Sequence, residues 1–120
     1  MDDILICEDD EPIRGLLLRV VEREGYSAQI ATNGDEALRC IEQGDYRAIL
    51  LDMMMPKITG FDIVERLRLS RPAVLSRIIV VTASLPAMKS PPVGIGGFFM
   101  KPFDLNKLVE AIHGLVKKEH

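Results

Sequence analysis

Short apolar runs alternate along this chain with segments whose apolar residues recur at helical spacing. The runs are residues 4–7, 27–31, 48–51, 78–81 and 97–100. The first, third and fourth are apolar at nearly every position, as expected of strands covered on both faces of a parallel sheet. The segments between them read as amphipathic helices. The first has Asp10 as N-cap and Pro12 in its opening turn, carries Ile13, Leu16, Leu17, Val20 and Val21 on one face, and stops at Gly25. A second spans 35–43, with Asn33 as cap, Leu38 and Ile41 inward and Gly44 as its end. A third spans 60–69, burying Ile63, Val64 and Leu67, and cannot continue through Pro72. The last follows Pro102, with Asp104 as cap and Leu108, Ile112 and Leu115 inward. Strands alternating with helices in this way predict an α/β fold, a right-handed doubly wound sheet with helices on both faces.

One segment breaks the rhythm. Residues 84–97 contain Pro86, Pro91, Pro92, Gly94, Gly96 and Gly97. Each proline removes a backbone donor and each glycine adds unfolded-state entropy, so a full helix is not expected there.

Composition adds bounds. The 120 residues, 48% apolar and 28% charged, suit one globular domain spanning 1–120, with an aliphatic core because Trp is absent and aromatics are 5%. A net charge of −3 leaves no basic surplus for binding nucleic acid or a membrane surface directly. Cys7 and Cys40 lie among apolar neighbours and read as two small buried hydrophobes rather than a disulfide framework. The start of the chain lacks a signal-peptide pattern and no apolar run is long enough to span a bilayer, which points to the cytoplasm.

Ligands of open α/β sheets bind beyond the C-terminal ends of the strands, near the reversal of strand order. Here those ends carry Glu8, Asp9, Asp10 and Glu11 after the first strand, Asp52 after the third, Thr82 after the fourth and Lys101 after the fifth. Several carboxylates converging on one spot repel each other, and a hard divalent cation such as Mg²⁺ relieves that repulsion. Because Mg²⁺ favours sites shared with phosphate, the cluster implies a phosphoryl group. Asp52 would be the nucleophile, Lys101 the counter-charge and Thr82 a hydrogen-bond donor.

The strings ILICEDDEPIR, AILLDMMMPKITGFDIVERLR, IIVVTAS and FFMKPFDLNKLVEAI resemble, in order and across the whole chain, the signature blocks of bacterial two-component response regulator receiver domains. The resemblance implies a flavodoxin-like five-stranded parallel sheet in the order 2-1-3-4-5. It implies that Glu8 and Asp9 are the acidic pair, with Asp9 the direct ligand of Mg²⁺, that Asp52 is the phosphoacceptor, and that the backbone carbonyl of Met54 completes the metal ligands. Thr82 takes the position of the switch hydroxyl and Lys101 that of the phosphate-binding lysine. Phe98 takes that of the switch aromatic, which also reads simply as a core ring, and Lys101–Pro102 that of a cis peptide. The implied activity is that of a signalling module, not an ordinary enzyme. A sensor histidine kinase or a histidine phosphotransfer protein donates a phosphoryl group to Asp52, and the surface of the family's fourth helix, fifth strand and fifth helix is reshaped. The module promotes only its own phosphotransfer and autodephosphorylation. A phosphorylation-dependent homodimer and a downstream protein or effector domain are further expectations. His113 and His120 have no neighbours in sequence that suggest a phosphoryl donor.

Departures from the family pattern centre on 82–101, a few residues short, where a shortened or irregular fourth helix and an unusual output contact are expected. Met54 and Ser84 stand where the family tunes phosphoryl lifetime. An apolar Met54 cannot position an attacking water, which favours slow hydrolysis. Among rival readings, a flavodoxin-like cofactor binder would need a phosphate-cradling loop where Glu8–Glu11 stands. An enzyme of the haloacid-dehalogenase type would carry its nucleophile in Asp-x-Asp on the first strand. The closer alternative is a receiver-like protein interaction module acting without phosphorylation.

Overall fold

The computed structural model describes residues 2–83 and 90–117. Their order is β1 (Ile4–Cys7), α1 (Glu11–Arg23), β2 (Ala28–Ala31), α2 (Gly34–Gln43), β3 (Ala48–Leu51), α3 (Gly60–Ser70), a 3₁₀ segment (Pro72–Arg77), β4 (Ile78–Thr82), β5 (Gly97–Met100) and α4 (Leu105–Lys117). All strand pairs are parallel, in the order β2-β1-β3-β4-β5. The doubly wound sheet expected from the hydrophobic pattern is observed, in the strand order that the resemblance implied.

The central strands β1, β3 and β4 are buried throughout and apolar but for Thr82, because both faces are covered, yet a period of two persists beneath the continuous runs. Leu5, Cys7, Ile49, Leu51, Ile78 and Val80 face a core formed with Leu38 and Ile41 of α2 and Ile63, Val64 and Leu67 of α3. Ile4, Ile6, Leu50, Ile79 and Val81 face the other core, formed with Leu17 and Val21 of α1 and Leu108, Ile112 and Leu115 of α4. Each fully buried Ile or Leu contributes about 1.5–3 kcal/mol. Exposed ion pairs such as Arg68–Glu65 add little beside that.

Helix ends follow the capping residues. The Asp10 side chain accepts from the Ile13 amide and Asn33 from the Glu36 amide. Thr59 and Asp62 form a reciprocal capping box at α3. Asp104 Oδ1 accepts from the Asn106 amide at 2.9 Å ahead of α4. Past the end of α1, Gly25 takes φ 91°, where a side chain would be strained. Pro72 ends α3 as expected but also opens the 3₁₀ segment, an element the periodicity did not reveal. Helix α4 is fastened to the end of α1 by a polar chain. The Tyr26 hydroxyl hydrogen-bonds His113 Nδ1, and His113 Nε2 lies 2.9 Å from Glu24 Oε1.

Two sequence expectations need adjusting. Cys7 is buried, but Cys40 is only half-buried, because it lies on the flank of α2 beside Ile41 rather than on its core-facing stripe; both thiols are free. The irregular fourth helix falls partly on residues 84–89, outside the described residues, as do Ser84 and His120. The described remainder, 90–96, holds a turn at Val93–Gly94 and no helix. The last helix, fifth in the family's usual count, is accordingly α4 here.

Gly60, at the start of α3, permits the closest approach near the end of β3. A Cβ there would lie 2.7 Å from Met53 Cα and 2.8 Å from the Asp52 carbonyl oxygen. Neither backbone atom can yield cheaply. Gly60→Ala is expected to lower the unfolding free energy by about 1–3 kcal/mol, measured by urea denaturation.

Candidate functional site

The site lies where strand order reverses. From β1 the chain crosses to β2 on one side and then to β3 on the other, so the C-terminal ends of β1 and β3 flank the crevice at which strand order reverses. Backbone bonds extend the sheet just past the strands and fix the residues that follow. The Glu8 amide donates to the Ala31 carbonyl at 3.1 Å, the Asp52 amide to the Cys7 carbonyl at 3.0 Å and the Lys101 amide to the Thr82 carbonyl at 2.8 Å.

Glu8, Asp9 and Asp52 converge, with one carboxylate oxygen of each lying within 4.8 Å of the others. Glu8 is fully buried and Asp52 is 6% exposed, whereas Asp9 faces solvent. Lys101 Nζ donates to Glu8 Oε1 at 2.7 Å and stands 3.8 Å from Asp52 Oδ2. Asp52 Oδ1 accepts from the Met54 amide at 3.1 Å, which orients the carboxylate. Glu8 Oε2 accepts from the Asp10 amide at 3.3 Å. Thr82 is fully buried at the end of β4, paired with Met100. Phe98 is half-buried one strand over, against the core of α2 and α3. The Lys101–Pro102 peptide is cis, as the resemblance implied.

One ammonium beside three carboxylates leaves the pocket electrostatically short of positive charge. Burial, followed by a hydrogen bond with Asp52, pushes the Glu8 carboxyl up to about 7, against the opposing pull of Lys101. Hard oxygen donors at this spacing, two of them buried, are a donor set suited to a divalent cation.

Sequence reasoning brought Glu8, Asp9, Asp52 and Lys101 to one place, and the structure gathers them there. It missed Arg14. From the first turn of α1, Arg14 Nη1 donates to the backbone carbonyls of both Glu8 and Asp9, each at 3.2 Å. A signal existed, since a cation in a helix's first turn opposes the macrodipole and calls for a local partner.

The raised Glu8 pKa sets a pH dependence. Its folded-state value lies above the ordinary 4.5. The contribution to stability is therefore fully present below about 4.5 and is lost as pH rises through about 7. In chelator, the stability of the native chain relative to Glu8→Gln is expected to fall between about pH 5 and 8, measured by urea midpoints. A flat difference across that range would contradict the assignment.

Comparison with known proteins agrees with this geometry. The response regulator receiver domain family matches residues 4–113. The chain is 32% identical over 116 residues to the uncharacterized transcriptional regulatory protein YkoG of Bacillus subtilis, covering 96% of this chain and 51% of that protein. The chain thus spans about half the length of the curated relatives it matches. Among solved structures, the receiver domain of the Francisella response regulator 1452 superposes with a TM-score of 0.82 at 26% identity, covering 98% of each chain. The response regulator TrrA of Thermotoga maritima, solved in complex with Mg²⁺-BeF, superposes with a TM-score of 0.80 at 28% identity, covering 96% of this chain and 99% of its own. The family match over residues 4–113 and the superpositions over nearly the whole chain show that it belongs to the family of response regulator receiver domains.

Proposed function

We propose that this chain is a phosphoacceptor signalling module in which Asp52 takes a phosphoryl group in a Mg²⁺-dependent reaction. The observation that carries the reading is the meeting of Glu8, Asp9 and Asp52 oxygens within 4.8 Å, with Lys101 Nζ 3.8 Å from Asp52. The Mg²⁺-BeF complex of the similar TrrA supports the same chemistry. Glu8, Asp9, Asp52 and the Met54 backbone carbonyl would hold Mg²⁺, which when bound supplies charge neutralisation for the anionic donor.

The phosphoryl donor is a phosphohistidine of a sensor histidine kinase or histidine phosphotransfer protein. Its P–N bond breaks as a P–O bond forms to Asp52, and the departing imidazole takes up a proton. The Met54 amide holds the Asp52 carboxylate, leaving the Oδ2 side toward Lys101. Lys101 offsets charge on a phosphoryl oxygen, and the Thr82 hydroxyl hydrogen-bonds another. Movement of Thr82 toward the phosphoryl group lets Phe98 turn inward, reshaping the surface of the segment before β5, β5 itself and α4. A preference of a few kcal/mol for the active state is enough to shift the population substantially.

The module turns over no separate substrate, and apolar Met54 favours slow loss of the phosphoryl group. With a net charge of −3, it does not itself bind nucleic acid or a membrane. It works in the cytoplasm on a downstream protein or effector domain, with phosphorylation-dependent homodimerisation as one route to output.

Incubation with acetyl phosphate and Mg²⁺ is expected to add one phosphoryl group, seen as intact mass, and Asp52→Asn is expected to add none. A folded native protein without an adduct would favour a receiver-like interaction module acting without phosphorylation. Thr82→Ala is expected to keep the adduct but lose the phosphorylation-dependent change in amide exchange at Phe98–Met100. Retention of that change would remove Thr82 from the switch.

A further inference from the structure

Glu8 and Asp9 are adjacent but held by different means. The Glu8 side chain is buried and fixed at both oxygens, by Lys101 Nζ at 2.7 Å and the Asp10 amide at 3.3 Å. Asp9 is exposed, on a backbone stretch between the end of β1 and the Asp10 cap of α1. At that stretch the Arg14 guanidinium intervenes. Its single Nη1 carries two N–H groups at a fixed angle, and both consecutive carbonyls, of Glu8 and of Asp9, lie 3.2 Å away. A planar donor with two fixed N–H directions sets the relative orientation of those peptide units in a way that a rotating ammonium does not.

We infer that Arg14 is a positioning residue for the cation site, a clamp on the Glu8–Asp9 backbone that presents the Asp9 carboxylate to the ion. The inference rests on the reading of Glu8, Asp9 and Asp52 as a Mg²⁺ site. Arg14 touches neither the ion's carboxylate ligands nor the reacting oxygen of Asp52. Its effect is therefore confined to how tightly the ion is held. The Glu36 carboxylate, whose pKa is lowered first by the hydroxyl and amide of Thr32 that donate to it, also feels Arg39 and then Arg14.

The test uses Mg²⁺ alone, titrated into the native chain, Arg14→Gln and Arg14→Lys, with binding read from backbone amide shifts. Unfolding midpoints in chelator and Asp52 phosphorylation by acetyl phosphate at saturating Mg²⁺ are recorded alongside. Arg14→Gln is expected to bind Mg²⁺ about 10-fold more weakly, the scale of outer-shell substitutions at metal sites. Its phosphorylation at saturating Mg²⁺ is expected to stay within about twofold of native, because the ion, once bound, meets the same ligands. Arg14→Lys keeps the charge without the paired geometry and is expected to bind about threefold more weakly. Unchanged Mg²⁺ affinity in Arg14→Gln, or a loss of phosphorylation that saturating Mg²⁺ does not restore, would overturn the assignment. Should Arg14→Gln fail to fold, Arg14→Lys decides. The threefold weakening at a native midpoint supports the clamp, and native affinity overturns it. Failure of the native chain itself to bind Mg²⁺ would instead overturn the underlying reading of the site.

Discussion

Repulsion among Glu8, Asp9 and Asp52 is the constraint around which the working end of this molecule is organised. Two of the three are buried, where like charges are costly, and the fold brings them within 4.8 Å of one another. Local responses are visible on every side. Lys101 reaches Glu8 and Asp52, the Met54 and Asp10 amides aim donors at carboxylate oxygens, and Glu8 keeps its proton up to about 7. These measures leave the pocket anionic, and that residual charge favours the entry of a cation. The scaffold bears the cost through two apolar cores, one on each face of the sheet.

The architecture was readable in the sequence because its determinants are local. Strands covered on both faces must be apolar throughout, and Asp10, Asn33 and Asp104 mark helix starts by offering side-chain oxygens to the first turn. The 3₁₀ segment at Pro72–Arg77 was not readable, since a proline that ends one helix looks the same whether or not a tighter turn follows. Cys40 was placed too deep, because apolar neighbours in sequence do not determine which flank of a helix faces the core.

At the site, side chains that act through charge at strand ends were legible. Glu8, Asp9, Asp52 and Lys101 each follow an apolar run, and parallel topology sends all such ends to one edge. Contacts made through the backbone were not. Arg14 works on two carbonyl oxygens, which every residue possesses, and Gly60 matters for an atom it lacks. The unequal burial of Glu8 and Asp9 depends on the path of the chain out of β1, and no pattern in the acidic run announces it.

The chain of Tyr26, His113 and Glu24 secures α4 near its C-terminal half, while its other end begins at Leu105, after Phe103 and Asp104. The helix is therefore pinned most firmly away from the pocket, with its first turn nearest the strand ends. A displacement delivered at Lys101 would reach the first turn of α4 before the buried Leu108 and Ile112, and then His113, damp it. A partner gripping that first turn would therefore feel a change at the strand ends more than one gripping the last.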